Sequence, residues 1–209
     1  MFFGSSITSI LATLLAVLLA ITFHETAHGF AAYKLGDPTA KNQGRLTLNP
    51  LAHLDPVGAL MMFIAGFGWA KPVPVNPFYF NGDRTKGMML VSIAGPVTNL
   101  ILSFTAYFIY AAGGGFGTVP FLNAFLTQTI VLNIYLAIFN LIPIPPLDGS
   151  KILAGFLPRA AAYKYLTTVE QYGFVILLVL IVFDITDMIL VPAANLVLNL
   201  FSMILFSIF

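Results

Sequence analysis

The residues with chemical reach in this chain lie close together. His24-Glu25-Thr26-Ala27-His28 places two imidazoles four positions apart, with a carboxylate directly after the first. On a helix, positions i and i+4 share one face, so both rings can hold a single metal ion. Position i+1 points about 100° away, where Glu25 flanks the metal and acts on a water beside it. Two of the three histidines and one of the two glutamates in 209 residues fall in this pentapeptide. Composition alone produces such a coincidence on the order of once in a few thousand chains. The bland reading is three polar residues at a fraying helix end. Ionisable groups inside an apolar run are nevertheless functional by default.

Catalytic zinc takes three protein ligands and keeps one position open, so a third ligand has to come from elsewhere in the chain. His53, Asp37, Asp55 and Asp148 are the candidates. Asp148 ends the stretch Asn140-Leu-Ile-Pro-Ile-Pro-Pro-Leu-Asp148-Gly149. Pro143, Pro145 and Pro146 hold that approach extended, and Gly149 permits a sharp turn after it. Taken alone, Asp148-Gly149 reads as a surface turn. The metal's need for a ligand reverses that preference. Two histidines and a carboxylate do not by themselves choose zinc over cobalt or iron.

The elements that must position these groups are apolar. Hydrophobic residues make up 59% of the chain and charged ones 8%, with a mean hydropathy of +0.94. Soluble domains carry roughly 25% charged residues, so lipid must be the solvent for most of this chain. A net charge of +1 supplies no field for nucleic acid. The absence of cysteine excludes disulfides, thiolate metal sites and cysteine nucleophiles.

The expected fold is an all-α integral membrane protein with about five transmembrane helices and a re-entrant hairpin over about 56–80. Ile7 to Phe23 is the first uncharged run, and the residues before it lack the basic start of a signal peptide. Gly87 to Leu147 contains 61 residues without a charge, enough for two spans joined at Gly113-Gly114-Gly115-Phe116-Gly117. Further runs cover Tyr172 to Phe183 and Met188 to Phe209. Pro56 to Ala70 falls short of the ~20 residues a span needs. It ends in Gly66-Phe67-Gly68-Trp69 and then Lys71-Pro72-Val73-Pro74-Val75, which suits a segment that dips in and returns. An ordinary short tilted helix is the alternative. The chain reads as one polytopic unit over residues 1–209, with a catalytic core over about 5–155 and C-terminal helices over about 170–209.

All nine basic residues fall in three stretches, Lys34 to Arg45, Lys71 to Lys86 and Lys151 to Lys164. If Pro56 to Ala70 re-enters, the three lie on one face, which the positive-inside rule makes cytoplasmic. The N-terminus is then outside, and the C-terminus and active-site side are cytoplasmic, in a plasma or inner membrane. With a helix starting near Ser5, His24 lies ~29 Å along it, near the cytoplasmic boundary.

In combination, the motifs resemble the site-2 protease family of intramembrane zinc metalloproteases, in its short prokaryotic branch without PDZ or CBS domains. The resemblance is carried by His24-Glu-Thr-Ala-His28, Tyr33-Lys-Leu-Gly-Asp37-Pro-Thr-Ala-Lys41, Asn49-Pro-Leu-Ala-His53-Leu-Asp55-Pro-Val-Gly58, Ala94-Gly-Pro-Val-Thr-Asn99 and Asn140 to Gly149. It runs from about residue 20 to 155. It implies His24, His28 and Asp148 as ligands of one Zn2+ and Glu25 as the catalytic base. Asn140 would help position the substrate or its oxyanion, and Gly66 to Gly68 would lie beside the substrate, a transmembrane protein within the bilayer. Asn99 is weighed between that substrate role and an interhelical hydrogen bond, the commoner use of an amide in a span. His53 and Asp55 are expected to brace the loop around the ligands. A prenyl-protein-processing type of membrane zinc protease and a membrane metal-ion transporter are the rival readings. The first needs a downstream glutamate ligand, for which only Glu170 is available. The second needs further ligands along several spans.

Overall fold

Ser6 opens the first helix by accepting the Ser9 amide N–H at 3.2 Å, which satisfies one of the donors a helix start leaves free. The helix, α1, then runs unbroken from Ile7 to Lys34. The computed structural model describes residues 6–64 and 68–207. His24 lies seventeen residues into α1, ~26 Å along its axis, and ten more residues follow it. The histidines are therefore well inside a regular helix, not at its fraying end.

Ala12, Ala16, Ala20, His24, His28 and Ala32 are all buried and recur every four residues. They form one i±4n ridge of α1, and the alanines let neighbouring backbones come close on either side of the imidazoles. Against this ridge pack α4 (Arg84–Ala112) and α5 (Pro120–Asn140), which also pack on each other. The 61-residue uncharged stretch thus becomes two spans, as expected. Gly114 and Gly115 take positive φ at the turn between them.

Between α1 and α4 come the single turn α2 (Thr39–Asn42) and the short helix α3 (Pro56–Ile64). Nine residues rise only ~13 Å, far below a bilayer's thickness. Leu54 and Ala70 form an antiparallel bridge, and the Lys71 amide donates to the His53 carbonyl at 2.9 Å. The segment comes back to where it left, which is the geometry of a re-entrant element and not of a tilted span. Gly66 lies outside the described residues.

Asp83 caps α4 by accepting from the Thr85 and Lys86 amides at 2.9 and 3.1 Å. Its other oxygen pairs with Arg159 at 2.8 Å, and that hydrogen bond holds the carboxyl below its ordinary range. After α5 come α6 (Asp148–Phe156), α7 (Arg159–Val182) and α8 (Ile185–Phe206). α6 lies along α4, α8 rests on α5, and α7 touches α6 and α8 and is mostly exposed. α7 begins thirteen residues before the expected start at Tyr172. Hydropathy registers only its apolar half, whereas its polar first half continues the same helix.

Among the described residues five helices, α1, α4, α5, α7 and α8, are long and apolar enough to cross a membrane. The molecule is a multi-pass, all-α membrane protein.

Candidate metal centre

Three side chains from two distant parts of the chain meet at one point. His24 Nε2 and His28 Nε2 are 3.0 Å apart, and Asp148 Oδ2 lies 3.2 and 3.1 Å from them. All three residues are buried. The two rings stand nearly perpendicular with centroids 4.6 Å apart, so both aim one nitrogen into the same space.

The proton positions on these rings follow from their outer partners. His28 Nδ1–H donates to the Val91 carbonyl at 2.7 Å, and a carbonyl can only accept. His24 Nδ1–H donates to Asn99 Oδ1 at 2.5 Å. The Asn99 amide is itself held the right way round, because its Nδ2 donates to the Ala20 carbonyl at 3.1 Å and to Asn133 Oδ1 at 2.7 Å. Asn133 is anchored in turn by donating from Nδ2 to the Thr129 carbonyl at 2.8 Å. Both imidazoles therefore carry hydrogen on Nδ1, so in its neutral form each presents its lone pair at Nε2.

With neutral rings, two lone pairs and a carboxylate oxygen converge, an arrangement that a cation at its centre, a proton or a metal ion, relieves. The spacing suits one. Tetrahedral ligands about 2.0–2.1 Å from zinc stand about 3.3 Å from one another, close to the separations here. The donor set, two imidazoles and a carboxylate, is one that zinc accepts with a position left open. Among the described residues this is the one group of three side chains placed to hold a metal.

Close backbone approach makes the site possible. A Cβ at Gly95 of α4 would stand 2.6 Å from both imidazoles, so only glycine lets α4 pass behind them. Pro96 follows at once and leaves the Ser92 carbonyl without its helical donor, one residue after the Val91 carbonyl that accepts from His28. At Gly149 a Cβ would run into the Leu141 and Ile142 carbonyls, which fixes how tightly the proline-rich approach folds before Asp148.

The donors open into a cavity of about 270 Å3, also lined by Glu25, Val73, Asn140 and Lys151. Glu25 Oε2 accepts the Val73 amide hydrogen at 2.7 Å, so the Pro72-Val73-Pro74 segment leans directly on the carboxylate. A larger cavity of about 510 Å3 adjoins it and shares Met88, Pro146 and Lys151. The histidines line the smaller one, and the chemistry belongs there.

Of the other residues singled out in the sequence, Asn140 reaches the cavity wall while donating to the Leu136 carbonyl at 2.9 Å. Asn99 is fully buried, with both ends of its amide engaged, and has no free group to offer a substrate. That favours the interhelical reading over the substrate one: in hydrocarbon an amide bonds to neighbouring helices, and here the neighbours are His24 and Asn133. His53 stands apart from the three donors and donates from Nε2 to the Thr47 carbonyl at 2.8 Å, the same carbonyl that receives the Thr26 hydroxyl. Asp55 accepts the Gly58 amide at the start of α3. Asp37 accepts from Thr39 and from the Asn76 amide, tying the end of α1 to the returning loop. Gly68 packs against the Gly58 carbonyl within the re-entrant element. Asn133, Gly95, Val73 and Lys151 are the site residues that sequence reading missed. Asn133 alone left a signal, as a bare amide in an otherwise apolar run.

The family model for Peptidase family M50 matches residues 12–183, a stretch that begins before the first histidine and ends after the aspartate. The chain belongs to peptidase family M50. Among its M50 relatives, YwhC of Bacillus subtilis (strain 168) is 46% identical over 88% of this chain and 87% of its own. Rip2 of Mycolicibacterium smegmatis is 30% identical over 78% of this chain, which spans 63% of that relative's length. An archaeal relative, MJ0611 of Methanocaldococcus jannaschii, is 27% identical over 71% of this chain and 72% of its own. All three carry the words zinc metalloprotease in their names. No solved structure matches the chain. Membership of M50 makes this chain a zinc metalloprotease, a hydrolase of peptide bonds.

Proposed function

We propose that this M50 peptidase cleaves membrane proteins within or next to their transmembrane segments. The observation that carries the reading is the depth of the histidines: His24 projects from a spanning helix ~26 Å from its start and ~15 Å from its end, and His28 follows one turn later. A scissile bond has to come to that depth, which a membrane-embedded chain does most readily.

In this reading His24, His28 and Asp148 hold one Zn2+. When bound, zinc supplies a Lewis acid that lowers the pKa of water to about 7 and polarises the scissile carbonyl. Glu25 takes the proton from the attacking water and returns it to the leaving amine. Asn140, on the cavity wall, helps orient the peptide. A helical substrate first unwinds locally, because peptide groups in a helix are already paired. The unwound stretch then pairs with the edge of the re-entrant element by strand-like addition. The whole chain works as one polytopic membrane unit, with the core over about 5–155 supplying the chemistry.

Neither rival gains support from the site. Glu170 is exposed on α7 and is not among the converging donors, so the downstream glutamate of a prenyl-protein-processing site is missing here.

The test uses purified full-length protein in liposomes with a single-pass helical peptide. Chelator-sensitive cleavage within the apolar part of the peptide is expected. Glu25→Gln should abolish turnover while the metal content stays near that of the unsubstituted chain. Retained turnover in Glu25→Gln, or cleavage confined to soluble unfolded peptides, overturns the proposal.

A further inference from the structure

Helix α8 carries two amides that point away from the rest of the protein. Asn195 and Asn199 are exposed and one turn apart. They lie ten and fourteen residues after Ile185, ~15 and ~21 Å along a helix of ~33 Å. That places both in the middle of a span, where no water reaches them. An unpaired amide in hydrocarbon costs free energy, and the usual local remedy is a bond to the helix's own backbone. Asn133 and Asn140 take that remedy by donating to carbonyls four residues back, at 2.8 and 2.9 Å. The side-chain amides of Asn195 and Asn199 make no hydrogen bond among the described residues.

Their neighbours on the same face show that the amides belong to a seam. At 100° per residue, Met188, Pro192, Asn195, Asn199, Met203 and Phe206 fall within an arc of about 80°. All six are exposed. The residues α8 buries, including Ala194 and Phe201 in the cluster with Ile130 and Ile134 of α5, lie on the other side. The stripe is apolar at both ends and polar at its centre.

We infer that this face of α8 is the interface through which a second copy of the chain docks, with Asn195 and Asn199 of each copy paired across a two-fold axis along the membrane normal. Copies in one membrane share one orientation, so such an axis sets two α8 helices side by side and parallel. Each asparagine then faces its own equivalent at identical depth. The amide is self-complementary, one end donating and the other accepting, so each pair satisfies itself. A substrate helix would have to bring its own amide to the same depth, whereas a second copy brings it by symmetry. A buried asparagine pair of this kind also favours one register, because a slip of a full turn leaves two of the four amides unpaired and a smaller slip leaves all four.

The experiment uses the full chain in liposomes and exploits its lack of cysteine. Asn195→Cys should form a disulfide-linked dimer on mild oxidation. Leu200→Cys, exposed on α8 at similar depth but well round the helix from the seam, should not. In single-molecule photobleaching at high lipid dilution, the double variant Asn195→Leu, Asn199→Leu should lose roughly tenfold or more in apparent association constant. Its metal content should be unchanged, which shows that it folds. Three results overturn the inference: equal crosslinking at 195 and 200, an unsubstituted chain that is monomeric at every dilution, or crosslinking of position 195 to a helical peptide substrate and not to itself.

Discussion

Asn133 Oδ1 receives the Asn99 side-chain N–H at 2.7 Å, and this contact between two spanning helices turns the other end of the Asn99 amide toward His24. The order Thr129 carbonyl, Asn133, Asn99, His24 runs from α5 through α4 to α1. The Thr129 and Ala20 carbonyls, which can only accept, fix the two amides, and the Asn99 oxygen then fixes the ring. The imidazole at its end is left with its lone pair on Nε2, facing His28 and Asp148.

Removing either amide should therefore weaken metal binding without touching a ligand. Asn99→Ala should lose about 10- to 100-fold in zinc affinity, the usual effect of deleting a partner behind a ligating histidine. Asn133→Leu removes the shorter of the two hydrogen bonds that hold the Asn99 amide and leaves only the one to the Ala20 carbonyl, which loosens its hold on the tautomer the metal needs. A loss of roughly tenfold is expected there. Competition with a chromophoric chelator measures both, and wild-type affinity in Asn133→Leu would show that the second amide plays no part.

Asp148 and His53 make opposite predictions. Asp148→Ala should lose both metal and activity, since its Oδ2 is one of the three converging donors. His53→Ala should keep most of its metal. It removes a hydrogen bond to the Thr47 carbonyl, and any loss should come through the loop, at most about 10- to 100-fold. Metal stoichiometry after dialysis against a weak chelator decides between them, and the reverse pattern would move the third ligand to His53.

Orientation in the membrane follows from the basic residues and can be read by labelling. Cysteines at Lys41 and Lys86 should react with an impermeant reagent from one face and a cysteine at Gly115 from the other. The Leu54–Ala70 bridge already requires the chain to return near its point of entry. Labelling of positions 41 and 86 from different faces would break the proposed topology.

The pairing of the two histidines and the membrane class needed no structure. Two histidines four apart on a helix share a face whatever surrounds them, and a chain with 8% charge cannot cover itself in water. The two spans in residues 87–147 follow from the same reasoning, because length and apolarity are local properties. The start of α7 was not legible. Its first half is polar, and hydropathy marks where a helix is greasy rather than where it begins.

The completion of the site was a tertiary matter. Nothing within the sequence of α6 places Asp148 beside residues more than a hundred positions earlier; the packing of α1, α4 and α5 and the folded proline approach do so. The role of Asn99 was decided in the same way. Its spacing allowed both a substrate contact and an interhelical bond, and the choice fell to whatever faced it across the packed helices, which was His24 on one side and Asn133 on the other. Gly95 shows the same limit from the backbone side. A glycine in a span has no sequence signature for what it makes room for, and only the crossing of α4 behind two imidazoles gives the missing side chain its meaning.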